Sequence, residues 1–202
     1  MINAIIPVWK PVNWTSFDVV KKIRSQIKPA KVGHAGTLDP FAEGVLVLCA
    51  GKFTKKVESF MDKEKEYIAD IRLGEETDTL DLTGKTIKTS DVPQLTNNKI
   101  VQILKHFIGD IMQEPPMFSA LKINGQPLYK FARNGINIPR KKRAVSIYDI
   151  QLITFDENTI TLKVTCSRGV YIRSLAKDIA KKLNTVGHLV SLIRTRIGEY
   201  EK

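Results

Sequence analysis

The stretch that decides the fold is Lys31-Val-Gly-His-Ala-Gly-Thr-Leu-Asp-Pro-Phe-Ala-Glu-Gly-Val-Leu-Val-Leu-Cys-Ala-Gly51. Its apolar run over residues 45–50 is bounded by Gly44 and Gly51, which predicts a strand buried on both faces. Asp39 precedes that strand, and Pro40 holds it in an extended conformation. A carboxylate on a rigid loop beside a buried strand is a candidate reactive group. The alternative is that Asp39-Pro40 only initiates a turn.

The charge of the chain points to a polyanionic partner. Among 202 residues, 32 are Lys or Arg and 21 are Asp or Glu, which gives a formal net charge of +11. Such a surface favours nucleic acid first and an anionic membrane second. The 43% of hydrophobic residues is ordinary for a globular protein and suffices for one sizeable domain or two small ones.

Cysteine and histidine usage favours a reducing compartment without a metal site. Cys49 and Cys166 lie in apolar, strand-like runs, which favours buried free thiols and leaves a disulfide open. The three histidines and two cysteines show no metal-ligand spacing, so we expect no zinc site. No run approaches the ~20 apolar residues of a membrane span, and the start lacks a signal-peptide pattern. We therefore expect a cytoplasmic protein without membrane association.

Apolar periodicity predicts both helices and strands. Thr15-Ser-Phe-Asp18 is a helix-capping pattern, and Phe17, Val20, Ile23 and Ile27 recur at helical spacing, so Phe17 is expected on the apolar stripe of a helix over 16–27. Further helices are predicted over 53–61, 97–107, 127–134 and 170–182, and strands over 4–9, 65–74, 145–155, 159–166 and part of 185–199. This mixed order favours an α+β fold on a largely antiparallel sheet.

Two charged segments allow two interpretations each. The acidic segment over 75–84 could bind Mg²⁺, but Asp- and Thr-rich runs ending in glycine more often form turns with side-chain to backbone hydrogen bonds. The cluster Arg140-Lys-Lys-Arg143 could contact phosphates or could be a solvated strand edge. The overall charge favours phosphate contact.

Five segments resemble one known family. The stretch Gly33-His-Ala-Gly-Thr-Leu-Asp-Pro-Phe-Ala-Glu-Gly-Val-Leu46 closely resembles the signature of the TruB-type tRNA pseudouridine synthases. The other four matching segments, in the family's order, are 10–20, 65–67, 115–122 with 128–133, and 167–178. The resemblance covers about residues 7–196. It implies the pseudouridine synthase fold, a largely antiparallel mixed sheet flanked by helices, with a catalytic cleft across the sheet.

The resemblance also implies an activity and its catalytic residues. Members isomerise uridine to pseudouridine at position 55 in the T-loop of tRNA, without a cofactor. Asp39 matches the nucleophile, which attacks either C6 of the base or C1′ of the sugar. Arg173 matches the arginine that pairs with that aspartate. Tyr67 matches the tyrosine that stacks on the flipped base and assists removal of the C5 proton. From the residues alone, Arg173 would be a structural ion pair and Tyr67 ordinary core.

Other positions match substrate contacts. His34 matches the histidine that inserts into the RNA loop and takes the place of the flipped base. Tyr171 and Leu192 match positions that line the pocket, although both could be core residues. Candidates for phosphate contacts, with weaker individual support, are Lys10, Lys21, Lys22, Arg140, Lys141, Lys142 and Arg143.

The chain departs from the family in one respect. Bacterial members usually continue into a small RNA-binding PUA domain, whereas this chain stops at Lys202. We therefore expect one catalytic domain over 1–202, without a C-terminal PUA domain, acting as a monomer on tRNA without an obligate protein partner. Three rival hypotheses remain: a tRNA-folding chaperone on the same fold, a guide-RNA-dependent synthase acting on ribosomal RNA, and a metal-dependent nuclease. The last fits the charge but lacks a ligand cluster.

Overall fold

The computed structural model describes residues 2–201, and strands dominate it. The thirteen strands of this part of the chain are β1 (Ala4–Lys10), β2 (Val32–His34), β3 (Glu43–Ala50), β4 (Lys65–Leu73), β5 (Glu75–Thr77), β6 (Thr86–Thr89), β7 (Gly109–Gln113), β8 (Lys122–Ile123), β9 (Gln126–Pro127), β10 (Arg143–Phe155), β11 (Thr159–Cys166), β12 (Gly187–Ile197) and β13 (Tyr200–Glu201). The α-helices are α1 (Ser16–Gln26), α2 (Val57–Met61), α3 (Asn97–Lys105), α4 (Leu128–Arg133) and α5 (Ile172–Lys182), and a 3-10 helix (Gly51–Lys56) precedes α2.

Nine strands form one mixed sheet. Its order is β1-β3-β12-β4-β11-β10-β7, with β2 also paired to β3 and β13 to β12. All of these pairs are antiparallel except β3 with β12, which run parallel. The prediction of an α+β fold on a largely antiparallel sheet is confirmed. The short pairs β5–β6 and β8–β9 are separate from the main sheet.

Strand β3 is buried on both faces, as its unbroken apolar sequence predicts. Val45, Val47 and Cys49 pack on one face against Phe60 of α2. Leu46 and Leu48 pack on the other face against Val19 and Val20 of α1. A strand covered by helices on both sides needs no polar alternation, which explains the continuous run.

The larger core lies under α3 and α5. Residues of α5 such as Leu175 and Ile179 pack with Ile71 of β4 and Leu162 of β11. Both cysteines are buried and free. No helix in residues 2–201 is long and apolar enough to cross a membrane.

Helix α1 confirms one prediction and corrects another. The capping box is present: the Thr15 hydroxyl accepts from the backbone N–H of Asp18, and the Asp18 carboxylate accepts from that of Thr15. Phe17, however, is 58% exposed, whereas Val20 of the predicted stripe is buried together with Val19. The prediction that Phe17 belongs to the buried stripe is wrong, because the sheet lies against a neighbouring side of the helix.

The parallel pairing of β3 with β12 depends on a glycine. Gly44 has φ +125° and lies opposite Arg194. A Cβ atom there would stand 2.2 Å from the carbonyl oxygen of Arg194 and 2.6 Å from its amide nitrogen. Only glycine allows both the dihedral angle and this approach of two backbones.

We expect Gly44→Ala to lower the free energy of unfolding by about 3 kcal/mol or more, because it adds a backbone clash to an unfavourable φ. Urea unfolding followed by circular dichroism would measure the loss. Gly109→Ala is the matched control, since Gly109 has φ +98° and an added Cβ would meet nothing within 4 Å. Equal losses in the two variants would contradict the importance of the close approach.

Candidate active site

One open cleft, with a volume of about 940 Å³, brings together the ends of several elements. Its wall is formed by the start of α1, the loop between β2 and β3, strand β4, the loop between β11 and α5, and strand β12. Of the predicted site residues, Asp39, Tyr67, Arg173, His34, Tyr171 and Leu192 all line it.

At the centre of the cleft, Asp39 and Arg173 form a two-point ion pair. The Nε atom of Arg173 lies 2.9 Å from Oδ2 of Asp39, and its Nη2 atom lies 3.1 Å from Oδ1. Side-on pairing of this kind fixes the plane of the carboxylate. About a third of the Asp39 side chain remains exposed, so the carboxylate is held and still reachable from the cleft.

Arg173 is itself almost completely buried and has further partners. Its guanidinium donates to the carbonyl oxygens of Thr79 (3.0 Å) and Phe118 (2.9 Å). A second carboxylate, that of Asp81, lies 3.4 Å from Nη1. Because a buried cation is costly unless it is paired, these contacts fix the orientation in which Arg173 meets Asp39.

The first turn of α5 is attached to the sheet edge. The side chain of Gln113, on β7, donates to the carbonyl oxygen of Tyr171 (3.1 Å) and accepts from its amide (2.8 Å). The Ser174 hydroxyl donates to the carbonyl oxygen of Glu114 (2.8 Å). Tyr171 and Ser174, which lie on either side of Arg173 in the sequence, are therefore both held by hydrogen bonds.

The loop that carries Asp39 is anchored to the chain around the start of α1. The Ser16 hydroxyl accepts from the backbone N–H of Leu38 (2.9 Å), and the Asn13 amide donates to the Pro40 carbonyl (2.7 Å). The two residues that flank Asp39 are therefore both fixed from outside the loop.

Lys10 also stabilises the loop that carries Asp39. Its ammonium group donates to the carbonyl oxygens of Pro11 (2.8 Å), Trp14 (2.6 Å) and Pro40 (3.4 Å). The residue is fully buried, and burial lowers the pKa of Lys10 to about 8, with Asp39 opposing the change. This burial contradicts the predicted phosphate contact of Lys10. Its three donors are used inside the protein.

Burial raises the pKa of Asp39 above the usual range of an aspartate, and the nearby Asp81 carboxylate adds to this effect. The Arg173 guanidinium acts in the opposite direction. The carboxyl group therefore combines a raised basicity with a cation that stabilises its charged form.

Tyr67 and Arg194 face one another across neighbouring strands. They are register partners in the β4–β12 pair, and both are buried in the cleft wall. Burial raises the pKa of Tyr67, while Arg194, within hydrogen-bonding reach of the hydroxyl, lowers it. Arg194 also donates to the carbonyl oxygens of Val45 (2.8 Å) and Gly36 (3.3 Å). Among residues 2–201 no carboxylate lies within 4.0 Å of this guanidinium.

His34 lies at the end of β2, half-buried, on the same cleft. Burial lowers the pKa of its imidazole, and Arg194 lowers it further, so the ring is neutral at pH 7. Leu192 is buried in β12, two residues before Arg194, and Tyr171 caps α5.

The predicted phosphate contacts other than Lys10 lie outside the cleft wall, and all of them except Arg140 are exposed. Lys21 and Lys22 are exposed on α1. Arg140 is mostly buried and pairs with Glu114 at 2.6 Å, whereas Lys141, Lys142 and Arg143 are exposed at the start of β10.

Two residues of the site, Asp81 and Arg194, were not identified from the sequence. The sequence allows a metal site or a turn over 75–84. In the structure Glu75–Thr77 form β5 and the residues after it form a turn, in which Oδ1 of Asp81 accepts from the Thr79 hydroxyl (2.8 Å) and from the Thr83 hydroxyl (2.6 Å). No local pattern connects Asp81 with Arg173. Within residues 2–201, no group of three or more His, Cys, Asp or Glu residues could hold a metal ion.

The fold is that of the pseudouridine synthases. The chain superposes on a chain in the crystal structure of a Cbf5–Nop10–Gar1 complex with a TM-score of 0.76 and 30% sequence identity, covering 98% of this chain and 50% of that one.

Within this class, the chain belongs to the TruB family. The N-terminal domain of the TruB family pseudouridylate synthases matches residues 24–172. The chain is 46% identical over 200 residues to tRNA pseudouridine synthase B of Francisella philomiragia, covering 98% of this chain and 66% of that protein. It is 45% identical over 199 residues to the enzyme of the same name from Clostridium kluyveri, covering 98% and 68%. The chain thus spans about two thirds of the length of these curated relatives.

We expect the Asp39 carboxyl to titrate above the ordinary aspartate value of about 3.9 and to move down in Asp81→Asn, because the amide removes a neighbouring negative charge. Carbon-13 NMR of protein labelled at the aspartate carboxyls would follow the titration, with Asp39→Asn identifying the signal.

Asp156→Asn, in the distant β10–β11 turn, is the control and should leave the Asp39 titration unchanged. An Asp39 pKa that is indifferent to Asp81→Asn would show that the second carboxylate has no electrostatic part in the site.

Proposed function

We propose that this chain isomerises uridine to pseudouridine in tRNA, at position 55 of the T-loop. The observation that carries the proposal is the Asp39 carboxylate, held by Arg173 in two-point contact and still open to a cleft that Tyr67 lines. Membership of the TruB family supports it, as does the similarity to relatives named tRNA pseudouridine synthase B.

The cleft suits a nucleotide flipped out of folded RNA. A base turned out of its stack needs an apolar wall and an aromatic face to replace its neighbours. Tyr67, Tyr171 and Leu192 supply these surfaces. His34, neutral at pH 7, is placed at the cleft to occupy the gap that the flipped base leaves in the RNA, as a ring that can stack there.

The chemistry requires a nucleophile and a route for one proton. Asp39 attacks C1′ of the sugar or C6 of the base, and in either case the N1–C1′ bond breaks. The base turns, a bond forms between C5 and C1′, and the enzyme–substrate bond is released. The proton on C5 leaves and N1 takes up a proton, so the product is an isomer of the substrate. The overall balance needs no oxidant or co-substrate.

Tyr67 and Arg194 would act together on the C5 proton. A phenol whose pKa is raised by burial is neutral at pH 7. A neutral phenol cannot accept the C5 proton, so Tyr67 would first give up its own proton, to N1 of the detached base or to water. The Arg194 guanidinium beside it would stabilise the resulting phenolate, which then takes the C5 proton and becomes a phenol again. We place Tyr67 in contact with the base and Arg194 as the residue that tunes Tyr67.

The binding of tRNA would rest on the positive surface around the cleft. Lys21, Lys22, Lys141, Lys142 and Arg143 are exposed and can contact phosphates. We propose that the chain works as a monomer and that residues 1–202 form one catalytic domain.

Asp39→Asn should retain tRNA binding and lose at least about 10³-fold in rate, because the amide is not a nucleophile. Release of tritium from tRNA labelled at C5 of uridine measures the reaction, with EDTA present throughout. Asp91→Asn, at an exposed position outside the cleft wall, is the control and should match the wild type.

Equal tritium release by the wild type and Asp39→Asn would remove Asp39 from the chemistry. A wild type that binds tRNA and releases no tritium would favour the RNA chaperone hypothesis, and activity abolished by EDTA would favour a metal-dependent enzyme.

Tyr67→Phe should bind tRNA as the wild type does but release tritium about 10²-fold more slowly or worse, because the ring still stacks and the hydroxyl is gone. Single-turnover tritium release separates this slow step from binding. Tyr148→Phe, on the exposed face of β10, should leave the rate unchanged. A wild-type rate in Tyr67→Phe would mean that the hydroxyl has no role in proton removal.

A further inference from the structure

Two aromatic rings lie exposed beside the cleft, and the proposed chemistry uses neither. Phe17 is 58% exposed and Trp14 is 36% exposed, although both are large and apolar. The ammonium of Lys21 lies 5.0 Å from the centre of the Phe17 ring, and that of Lys22 lies 5.3 Å from the centre of the Trp14 ring. We call these four residues the α1 platform.

The α1 platform is continuous with the active-site cleft. Phe17 lines the cleft, as do its neighbours Thr15 and Ser16. The Ser16 side chain is hydrogen-bonded to the backbone of Leu38, the residue before Asp39. A substrate that fills this side of the cleft would contact Phe17.

The α1 platform is also held at a fixed distance from the catalytic loop. Lys10 donates both to the Trp14 carbonyl (2.6 Å) and to the Pro40 carbonyl (3.4 Å), so one ammonium group joins the platform to the residue after Asp39. The Asn13 amide adds a second link to the Pro40 carbonyl. Lys10 is fully buried, so water does not compete for these hydrogen bonds.

The charge of the platform fits a phosphodiester chain. Lys22 has no carboxylate within 4.0 Å in the part of the chain that is described, and the single ion pair of Lys21 is the exposed contact with Asp18 at 3.8 Å. Flat rings next to exposed ammonium groups match a nucleotide, whose base stacks on the ring and whose phosphate contacts the cation.

We propose that the α1 platform binds the unpaired RNA next to the flipped uridine, with a base stacked on Phe17 or Trp14 and flanking phosphates on Lys21 and Lys22. The inference rests on the proposed function and adds the place where the RNA strand leaves the cleft. Because the platform is tied to the Asp39 loop, it sets the register of the strand relative to the nucleophile.

The test is binding of a fluorescent T-arm RNA hairpin at several salt concentrations. Phe17→Ala should bind at least about fivefold more weakly at every salt concentration, because stacking does not release counterions. Lys21→Gln with Lys22→Gln should also weaken binding and should lower the slope of log affinity against log salt by about one per lysine. All of these side chains are exposed or partly exposed, so the variants keep the fold.

Matched controls lie elsewhere on the surface. Tyr148→Ala removes an equally exposed ring from β10, and Lys88→Gln with Lys105→Gln removes two exposed lysines outside the cleft wall. Both should leave affinity and salt slope unchanged.

A second measurement identifies the stacked base. Two hairpins would be made, each with a single abasic nucleotide, one on the 5′ side and one on the 3′ side of the target uridine. One of the two should bind the wild type more weakly than the intact hairpin does. The variant that lacks the stacking ring, Phe17→Ala or Trp14→Ala, should bind that abasic hairpin and the intact hairpin with equal affinity. If Phe17→Ala and Trp14→Ala bind RNA as Tyr148→Ala does, or if no abasic position matters to the wild type, the platform does not bind RNA.

This failure is distinguishable from failure of the proposed function. Wild-type protein that binds the hairpin without releasing tritium from C5 would overturn the isomerase proposal and leave the binding comparison valid. Wild-type protein that releases tritium, together with a Phe17→Ala variant that binds normally, would overturn the platform alone. No binding by the wild type would overturn both.

Discussion

The two-point contact between Arg173 and Asp39 is the interaction on which the rest of the site depends. A carboxylate withdrawn from water protonates unless a cation or hydrogen bonds favour its charged form. The cation that does this is itself buried, so it needs partners of its own, and it obtains them from Thr79, Phe118 and Asp81. Four separate segments of chain must therefore meet at one guanidinium. The sheet order, which places β12 between β3 and β4, brings these segments together.

Rigidity around the nucleophile comes from buried polar groups whose donors are used. Lys10, Ser16 and Gln113 each bind backbone atoms of a segment next to a site residue. Such contacts stabilise little in net terms, because the same groups bind water in the unfolded chain. Their effect is on geometry, since they leave the Asp39 loop and the start of α5 with few alternative positions. Arg194 differs from them, because no carboxylate of residues 2–201 lies within 4.0 Å of its guanidinium, and its positive charge lowers the pKa of Tyr67 and of His34.

Local patterns in the sequence predict much of this fold and part of the site. The apolar run before Gly51 predicts β3 with both faces buried, and Thr15 with Asp18 predicts the capping box of α1. The family signature places Asp39, Tyr67 and Arg173, which the fold brings to one cleft. Apolar periodicity misplaces Phe17. The spacing predicts that a helix has an apolar stripe, but it does not determine which side of the helix packs against the sheet. The burial of Lys10 and the approach of Asp81 to Arg173 depend on tertiary contacts that no local pattern encodes.

The sheet order also has a consequence for synthesis of the protein. Asp39 and Arg173 are 134 residues apart, and β12, which separates β3 from β4, comes later still. Because translation delivers the N-terminal part first, the Asp39 loop and β3 emerge long before their shared partners. Until α5 and β12 leave the ribosome, β3 and β4 each present an open edge and the aspartate has no arginine. A nascent chain therefore cannot acquire the paired carboxylate in stages: the pair is assembled only after Arg173 and strand β12 have been synthesised.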